Sequence, residues 1–372
     1  MQKKMDSDLS VYYCALSRVF AYKCAAGRHL LETFGGPAAV FAARREELAA
    51  ALRQGDAFID QLLAPALLEW ARRECEWARA EGVRMLGLGQ DGYPRRLAEC
   101  DDAPLLLYVR GNVDFDVPHV LAVVGTRKAT WAGRDQCRRI VENLAELEEK
   151  PLIVSGLALG IDGCAHEAAL AAGLPTVGVL PCGPEAVYPR QHQALADRML
   201  ERGALVTDFA RGIAPEAYTF LRRNRIIAGL ADAVLLVESY RKGGGLITAS
   251  LAASYNREVY AVPGRPTDAS FEGCNRLIAA QEAVLVPDAE SLGIALGWRI
   301  LRRASARPAL LRPDDPPLRR ELLRILAERS PATMEQLSAW TGLPPRELSV
   351  ELLDLELAGR VVADGTKFCV SL

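Results

Sequence analysis

Seven short apolar runs, separated by segments with helical spacing, fill the middle of this chain. They are VLAVV, LIV, TVGVL, ALV, AVLLV, EVYAV and AVLV, which begin at residues 120, 152, 176, 204, 233, 258 and 283. A strand that is covered on both faces is apolar throughout, and strands that alternate with helices are typical of βαβ units. The pattern therefore predicts an α/β fold with a Rossmann-like parallel sheet core, which we assign to residues 91–297.

Two further domains are predicted on either side of this core. Residues 9–86 carry apolar residues three and four apart, which predicts an all-helical domain at residues 1–90. Residues 298–317 lose this periodicity and gather prolines, as linkers do. Residues 318–372 are expected to form three short helices and then two strands around Asp364 and Gly365, which indicates a winged-helix domain.

Charge and cysteine content exclude some classes of function. The formal net charge is −2, so the chain is not a generally basic protein, although it can still carry a local cationic surface. The nine cysteines are scattered without the paired spacing of zinc ligands, so no metal site is predicted. Because no apolar stretch reaches about 18 residues and the polar start lacks a signal-peptide core, we expect a cytoplasmic protein with no membrane contact.

Glycine-rich loops follow several of the predicted strands. In an open parallel sheet, ligands bind beyond the carboxyl ends of the strands, and we call the loops there the rim. Glycines let a backbone approach a ligand closely, and N–H groups that open a helix bind anions. The sequence therefore predicts a phosphate-binding rim, built from Gly125 to Lys128, Ser155-Gly156 and Gly243 to Gly245.

The segment FLRRNRIIAGL, residues 220–230, places three arginines and an asparagine before an apolar run. If it forms the helix that precedes the strand at residue 233, its first turn lies on the same rim. Positive side chains at a helix N-terminus oppose the macrodipole by a few tenths of a kcal/mol each, so we expect a bound anion there. An aromatic side chain such as Phe220 can stack on a base. The alternatives are arginines paired with nearby acids and a phenylalanine that belongs to the core.

Signals for a cofactor or a catalytic site are weak. Gly156, Gly160 and Gly163 do not have the G-x-G-x-x-G spacing, and no acid follows at the position that would bind a ribose, so neither NAD nor another cofactor is predicted. The histidines fall in separate segments, and Ser155 and His166 have no evident acidic partner. No catalytic residue is predicted, and a binding protein is favoured over an enzyme.

Longer motifs in fixed order resemble the DNA-processing protein A family (DprA, also called Smf). They include VVGTRKATWAG, VSGLALGIDGCAHEAAL, LPCGPEAVYPRQHQAL, FLRRNRIIAGLADAVLLVE, GGGLITASLA and REVYAVPG, and the resemblance spans about residues 93–286. It implies a cytoplasmic bacterial protein that binds single-stranded DNA, forms a homodimer and loads RecA recombinase in natural transformation and DNA recombination. It also implies a helical N-terminal domain of the SAM or helix-hairpin-helix type and, often, a winged helix.

Matched motif by motif, the resemblance implies that the rim and the 220–230 segment bind DNA. The expected DNA-binding residues are Gly125, Arg127, Lys128, Ser155, Gly156, Phe220, Arg222, Arg223, Asn224, Gly243, Gly244, Gly245 and Thr248. Arginines and N–H groups would hold phosphates while Phe220 stacks on a base, with little sequence specificity. The chain departs from the family at Leu221, usually proline, at Ala217, a lysine in some members, and at Gly243 to Gly245, usually Ser-Gly-Ser. These departures bear on affinity more than on fold.

The flanking domains carry weaker DNA signals. LSRVFAYKCAAG lacks the glycines of a helix-hairpin-helix turn, so we assign no DNA binding to the N-terminal domain. In the third predicted helix of the winged-helix domain, Arg346 is outnumbered by Glu347, Glu351, Asp354 and Glu356, which would repel phosphates. We hypothesise that this domain mediates protein contacts or regulation.

Two other functions stay open. The glycine-rich loops, and GGGLITASLA in particular, are similar to those of Rossmann-like nucleotide phosphoribohydrolases. Lys242 stands where those enzymes have proline, and no glutamate follows in that helix. A duplex-binding transcription factor acting through the winged helix is the other alternative, and the acidic third helix counts against it.

Overall fold

The computed structural model describes residues 2–52, 57–299 and 315–370. They belong to two compact units, Met1–Leu301 and Arg302–Leu372. Most of the predicted linker at 298–317 lies outside the described residues. Within those residues, no helix is both long enough and apolar enough to span a membrane.

The first unit begins with helices, as the spacing of apolar residues predicts. They are α1 (Gln2–Val19), α2 (Cys24–Phe34), α3 (Pro37–Ala42), α4 (Arg45–Leu52), α5 (Ala57–Leu63) and α6 (Pro65–Ala80). Gly35 ends α2 with a φ of 77°, and a proline opens α3 at the position where its missing N–H costs nothing. Leu16 and Leu30 lie in one buried cluster with Leu107 and Val124 of the sheet region. The helical region and the sheet thus share a core, and a domain boundary at residue 90 stays a prediction.

A nine-stranded sheet with its helices makes up the rest of the first unit. Its strands are β1 (Arg84–Gly87), β2 (Leu106–Gly111), β3 (Val120–Val124), β4 (Leu152–Ser155), β5 (Thr176–Val179), β6 (Ala204–Thr207), β7 (Ala233–Leu236), β8 (Glu258–Ala261) and β9 (Val284–Leu285). Its helices are α7 (Arg95–Ala98), α8 (Trp131–Asn143), α9 (Ile161–Ala171), α10 (Gln193–Met199), α11 (Ala217–Leu230), α12 (Gly244–Ser254), α13 (Glu272–Ala279) and α14 (Ala289–Leu296). Each of the seven apolar runs coincides with one of these strands, from β3 to β9, to within one residue at either end.

The strand order is β1-β2-β6-β5-β4-β3-β7-β8-β9. The strands from β6 to β9 along this order are parallel, with Leu121 paired to Ile153 on one side of β3 and Val124 to Leu236 on the other. β1 and β2 are antiparallel additions at one edge, and the spacing argument does not predict them. The predicted α/β fold is confirmed, with a mixed rather than a wholly parallel sheet.

Both faces of the sheet are buried, which explains why its strands are apolar throughout. Along β3, Val120, Ala122 and Val124 point into the cluster that contains α11 and α12. Leu121 and Val123 point into a second cluster with α8 and α9. Alternate side chains of one strand therefore serve two separate cores.

The second unit has its own core and the winged-helix order of elements. These are α15 (Pro317–Arg329), β10 (Ala332–Thr333), α16 (Met334–Thr341), α17 (Pro345–Leu357), β11 (Val361–Asp364) and β12 (Lys367–Val370). The three strands form an antiparallel sheet in the order β10-β12-β11, and β10 is not predicted from the sequence. Leu322, Leu348 and Leu352 are among the buried residues that hold the three helices together.

Candidate nucleic-acid interface

The centre of the sheet contains a topological switch point. β3 and β7 are neighbours, but the chain continues from β3 to β4 on one side and from β7 to β8 on the other. The loops that follow two such strands diverge and leave a crevice, which is where open α/β sheets bind ligands. The loops after β3 and β7 therefore form the centre of the rim.

These two loops touch because glycines allow it. A Cβ atom on Gly125 would lie 2.6 Å from Cγ1 of Ile161 and 2.9 Å from the carbonyl oxygen of Glu238. A Cβ on Gly245 would lie 3.4 Å from Cα of Gly125. Close packing alone therefore accounts for glycine at positions 125 and 245, and a ligand is not needed to explain them.

Arg223 is the most buried cation on the rim. It lies on α11, and its side chain is only 4% exposed. This helix begins with a reciprocal capping box between Glu216 and Thr219. The guanidinium lies against Gly156, where a Cβ atom would overlap its Nη1. Its nearest carboxylate oxygen is Oδ2 of Asp162, at 3.9 Å from Nη1.

The pairing of Arg223 is incomplete. Its Nε has no hydrogen-bond partner within the part of the chain that the structure describes. Burial lowers the pKa of Arg223 to about 10 despite the attraction of Asp162. Burial likewise raises the pKa of Asp162, although Arg223 and the N–H of Ala158 act to lower it. The protein thus holds a cation with an unused donor beneath the glycine-rich rim.

Phe220, Arg127 and Tyr188 form a cluster above this buried pair. The guanidinium carbon of Arg127 lies 4.4 Å from the centroid of the Phe220 ring. The ring of Tyr188, from the loop after β5, meets Phe220 edge-on with centroids 5.5 Å apart. Arg127 and Lys128 are exposed and Phe220 is half-buried. Phe220 is therefore an accessible rim residue and does not belong to the core.

Arg222 and Arg225 lie in a different environment from Arg223. Nη2 of Arg222 is 2.7 Å and Nη2 of Arg225 is 2.5 Å from the same Oδ2 of Asp208, which follows β6. Successive helix residues point about 100° apart, so adjacent arginines face different neighbours. The structure does not bring Arg222 into contact with the group around Arg223. Arg222 instead pairs with Asp208, as the alternative of arginines paired with nearby acids predicts.

The remaining predicted residues present mainly backbone atoms to the rim, because their side chains are buried or absent. The hydroxyl of Ser155 donates to the carbonyl of Val123 at 2.6 Å, and that of Thr248 donates to the carbonyl of Gly244 at 3.4 Å. Both side chains are buried, as is Asn224. Gly243 and Gly244 open α12, and a Cβ on Gly244 would meet nothing within 4 Å. The N-terminal turn of α12 is therefore the open helix start on this rim.

A carboxylate fills the corresponding position at α8. Glu238 directly follows the β7 run and is fully buried. Its Oε2 accepts the N–H of Thr130 at 2.9 Å, and it lies so close to Gly133 that a Cβ there would overlap it. The carboxylate of Glu238 thus occupies the N-terminus of α8, where the helix dipole is positive, so this helix start is not available to a bound anion.

Sequence reasoning misses several exposed residues beside this site. Tyr188 lies in LPCGPEAVYPRQHQAL, where the residues carry no stacking signal of their own. Tyr240, Arg241 and Lys242 follow Ser239 in the loop before α12, and all three are exposed. An aromatic residue followed by two cations is a pattern of nucleic-acid interfaces, so this triplet is a signal that the sequence does contain. Among the described residues, no group of three or more metal-ligating side chains is found.

Comparisons with known proteins cover most of the chain. The family model for DNA recombination-mediator protein A matches residues 84–296, and the model for the DprA winged helix domain matches residues 305–365. The protein Smf of Escherichia coli is 35% identical over 311 residues, which are 81% of this chain and 82% of Smf.

Two solved structures are similar as well. The DNA processing protein A of Streptococcus pneumoniae superposes with a TM-score of 0.56 and 31% identity, over 68% of this chain and 92% of that one. The DNA processing protein A of Helicobacter pylori, whose structure concerns its single-stranded DNA binding mode, has a TM-score of 0.52 and 26% identity. That match covers 57% of this chain and 95% of the other.

Proposed function

Because this chain belongs to the DprA/Smf family of DNA-processing proteins, we propose that it binds single-stranded DNA at the switch point between β3 and β7. The observation that carries the proposal is the buried, incompletely paired Arg223 beneath a rim that exposes Arg127 stacked on Phe220. An anion would supply the partner that Arg223 lacks, and a flat ligand suits the ring of Phe220.

The phosphate contacts would come from three groups. Arg223 has an unused Nε donor, the first turn of α12 presents N–H groups at Gly244 and Gly245, and Arg127 is exposed. A hydrogen bond to a charged group is worth about 1.5–3 kcal/mol, and helix starts bind anions through their N–H groups. Because none of these groups contacts a base edge, binding should be nearly independent of sequence.

Base stacking at Phe220 would follow an exchange of partners. In the free protein, Arg127 covers one face of the ring. A cation–π contact at an exposed site contributes about 0.5–1 kcal/mol, whereas a stacked base contributes about 1–3 kcal/mol. If Arg127 moves from the ring to a phosphate while a base takes its place, both changes favour the complex. The residues proposed to act in this way are Arg127, Phe220 and Arg223, with the backbone of Gly156 and Gly243 to Gly245.

The biological role extends this binding activity. We propose that the chain protects incoming single-stranded DNA and loads RecA recombinase onto it in natural transformation and homologous recombination, within the cytoplasm. A homodimer is part of this proposal. β9 is the last strand of the sheet, and it exposes Val284 and Leu285, with Ile294 exposed on the following α14. An apolar edge strand is a ready surface for pairing with a second copy.

The winged-helix unit is proposed to act in protein contacts or regulation. The face of α17 opposite its buried leucines exposes Val350, Leu353 and Leu357. Beside them, Arg319 pairs with Glu351 and Asp354 at 3.0 Å each, so this arginine is not free to bind a phosphate. A helix that enters the major groove needs basic and polar side chains instead. Tight binding of duplex DNA at physiological salt that is lost on deleting residues 318–372 would contradict this assignment.

No catalytic activity is proposed. The alternative of a phosphoribohydrolase-like enzyme needs a carboxylate that is free to act, and Glu238 at the end of the β7 run is held by Thr130 at the start of α8. Incubation of the protein with nucleoside monophosphates tests this alternative, and release of the free base would support it.

The test of the main proposal is fluorescence anisotropy of labelled single-stranded and duplex oligonucleotides over a range of salt concentrations. We expect a preference for single strands that Phe220→Ala and Arg127→Ala weaken. On single strands each neutralised phosphate contributes about 0.7 to the log–log salt slope, so Arg127→Ala should flatten that slope whereas Phe220→Ala should not. Arg72→Ala, which removes an exposed arginine on α6, is the matched control. Absent or salt-independent binding would refute the proposal.

A further inference from the structure

A cleft of about 350 Å³ lies beside α11, between that helix and the turn that joins α1 to α2. Tyr22, from the turn, and Tyr218 and Leu221, from α11, line it together with Arg222, Arg225 and Asp102. Leu221 is the residue that replaces the usual proline of the family. The cleft uses none of the residues Arg127, Phe220 and Arg223 proposed to bind DNA on the rim.

Two tyrosines at the cleft are unusually accessible. Tyr22 is 72% exposed and Tyr218 is 41% exposed. Their ring centroids are 6.3 Å apart, and the ring planes are inclined by 51°. A flat ring between two others needs them about 7 Å apart, twice the van der Waals contact distance of about 3.5 Å. A rotation of Tyr22 and a small opening would therefore admit one aromatic heterocycle.

The charges at the cleft are balanced, which argues for a flat neutral group and against a phosphate. Arg222 and Arg225 both pair with Asp208, and the carboxylate of Asp102 accepts the hydroxyl of Tyr255 at 2.7 Å. Two guanidinium groups thus face two carboxylates. The guanidinium carbon of Arg222 lies 4.9 Å from the centroid of the Tyr22 ring, which supports the ring from one side.

The cleft lies within reach of a strand bound on the rim. Tyr218 precedes Phe220 by two residues in the first turn of α11, and the two point to different sides of the helix. An α-helix with its side chains is about 10–12 Å across, so a single strand that passes this turn connects the two sides within a few nucleotides.

We propose that the cleft is a second stacking subsite for single-stranded DNA, in which Tyr22 and Tyr218 take a base a few nucleotides away from the base at Phe220. This inference rests on the proposed function. It gives the N-terminal helical region a role in DNA binding through an aromatic side chain, without the glycine turn of a helix-hairpin-helix motif. Stacking surfaces of this kind accept any base.

The experiment compares the binding of oligothymidylates of roughly 2 and roughly 20 nucleotides, because the shorter strand cannot span the few nucleotides between the two sites and the longer one exceeds common single-strand site sizes. With the full chain, Tyr22→Ala should weaken binding of the longer oligonucleotide roughly tenfold and should not flatten its salt slope, because stacking releases no counterions. The shorter oligonucleotide, which fills only the rim, should show no such loss. Tyr22→Phe should restore the affinity, and Leu63→Ala, an exposed apolar residue of α5 outside the cleft, is the matched control.

The two proposals fail in different ways. If Tyr22→Ala binds the longer oligonucleotide as tightly as wild type, or if it weakens both lengths equally, the subsite is refuted while the rim proposal stands. If wild type binds neither length, the proposed function is refuted and the subsite with it. Because Tyr22 is exposed, its substitution should not unfold the protein, and an unchanged Tm verifies this.

Discussion

The buried pair of Arg223 and Asp162 is expected to lower stability in exchange for DNA binding. The lowering of the Arg223 pKa from its usual value to about 10 corresponds to roughly 3 kcal/mol by which burial outweighs the attraction of Asp162. Replacing a buried ion pair by neutral groups of similar shape is often neutral or stabilising by about 1–4 kcal/mol. We therefore expect Arg223→Met/Asp162→Asn to be at least as stable as wild type.

Its DNA binding should be strongly impaired. Loss of one hydrogen bond from a charged donor, worth about 1.5–3 kcal/mol, predicts a loss of affinity of at least tenfold. The salt slope on single strands should fall by about 0.7, because one phosphate contact disappears. The assays are urea unfolding followed by tryptophan fluorescence, since four of the five tryptophans lie in the first unit, and anisotropy for DNA.

The single variant Arg223→Met separates this explanation from simple loss of packing. It leaves the Asp162 carboxylate buried without a cation. Because burial already raises the pKa of Asp162, the native state then binds a proton that the unfolded state releases, and stability should fall as pH rises above the usual aspartate pKa of 3.8. The double variant lacks this dependence. A double variant that is less stable than wild type by more than about 1 kcal/mol, or that keeps the wild-type salt slope, would refute the reasoning.

Three further predictions concern residues around the same site. Gly156→Ala places a Cβ on the guanidinium of Arg223, so it should weaken DNA binding about tenfold in the wild-type background. In the Arg223→Met background it should cause little further loss of affinity, and anisotropy of the single and double variants measures both effects. Burial lowers the pKa of His166 to about 3, so between the unfolded value of 6.5 and pH 3 the unfolded state binds the extra proton. Stability should therefore fall by about 1.4 kcal/mol per pH unit on acidification, and His166→Gln should remove that part of the slope in urea titrations at pH 7 and 5. Glu238→Ala removes the acceptor of the Thr130 N–H and should cost about 1–3 kcal/mol in urea unfolding; an altered DNA salt slope would argue against a purely structural role.

Much of the fold could be predicted because its strands are buried on both faces. Such strands are apolar almost without interruption, so the runs that mark β3 to β9 are visible in the sequence itself. β1 and β2 are not predicted in this way. They lie outside the alternation of strands and helices, and they join the sheet by antiparallel pairing of β1 with β2 and of β2 with β6, a partner distant along the chain. β10 has only two residues, Ala332 and Thr333, too few for a periodicity.

The site could be predicted only in part, because a sequence does not say which acid meets which cation. The glycine loops and FLRRNRIIAGL are both visible, and the rule for parallel sheets places them at one edge. Arg222 and Arg223 are adjacent in that segment and look equivalent. In the folded chain, the helical rotation of about 100° sends Arg222 to Asp208 and leaves Arg223 beneath Gly156 with a loosely paired Asp162.

Tertiary structure alone decided which aromatic residues lie near α11. Tyr188 comes from the loop after β5 and Tyr22 from the turn between α1 and α2, and neither segment carries a signal that points to Phe220 or Tyr218. Local spacing determines which elements form, because helices and strands have fixed periods. Contacts between residues distant in sequence depend on how those elements pack, and here that packing places one aromatic cluster and one aromatic cleft beside the first turn of α11.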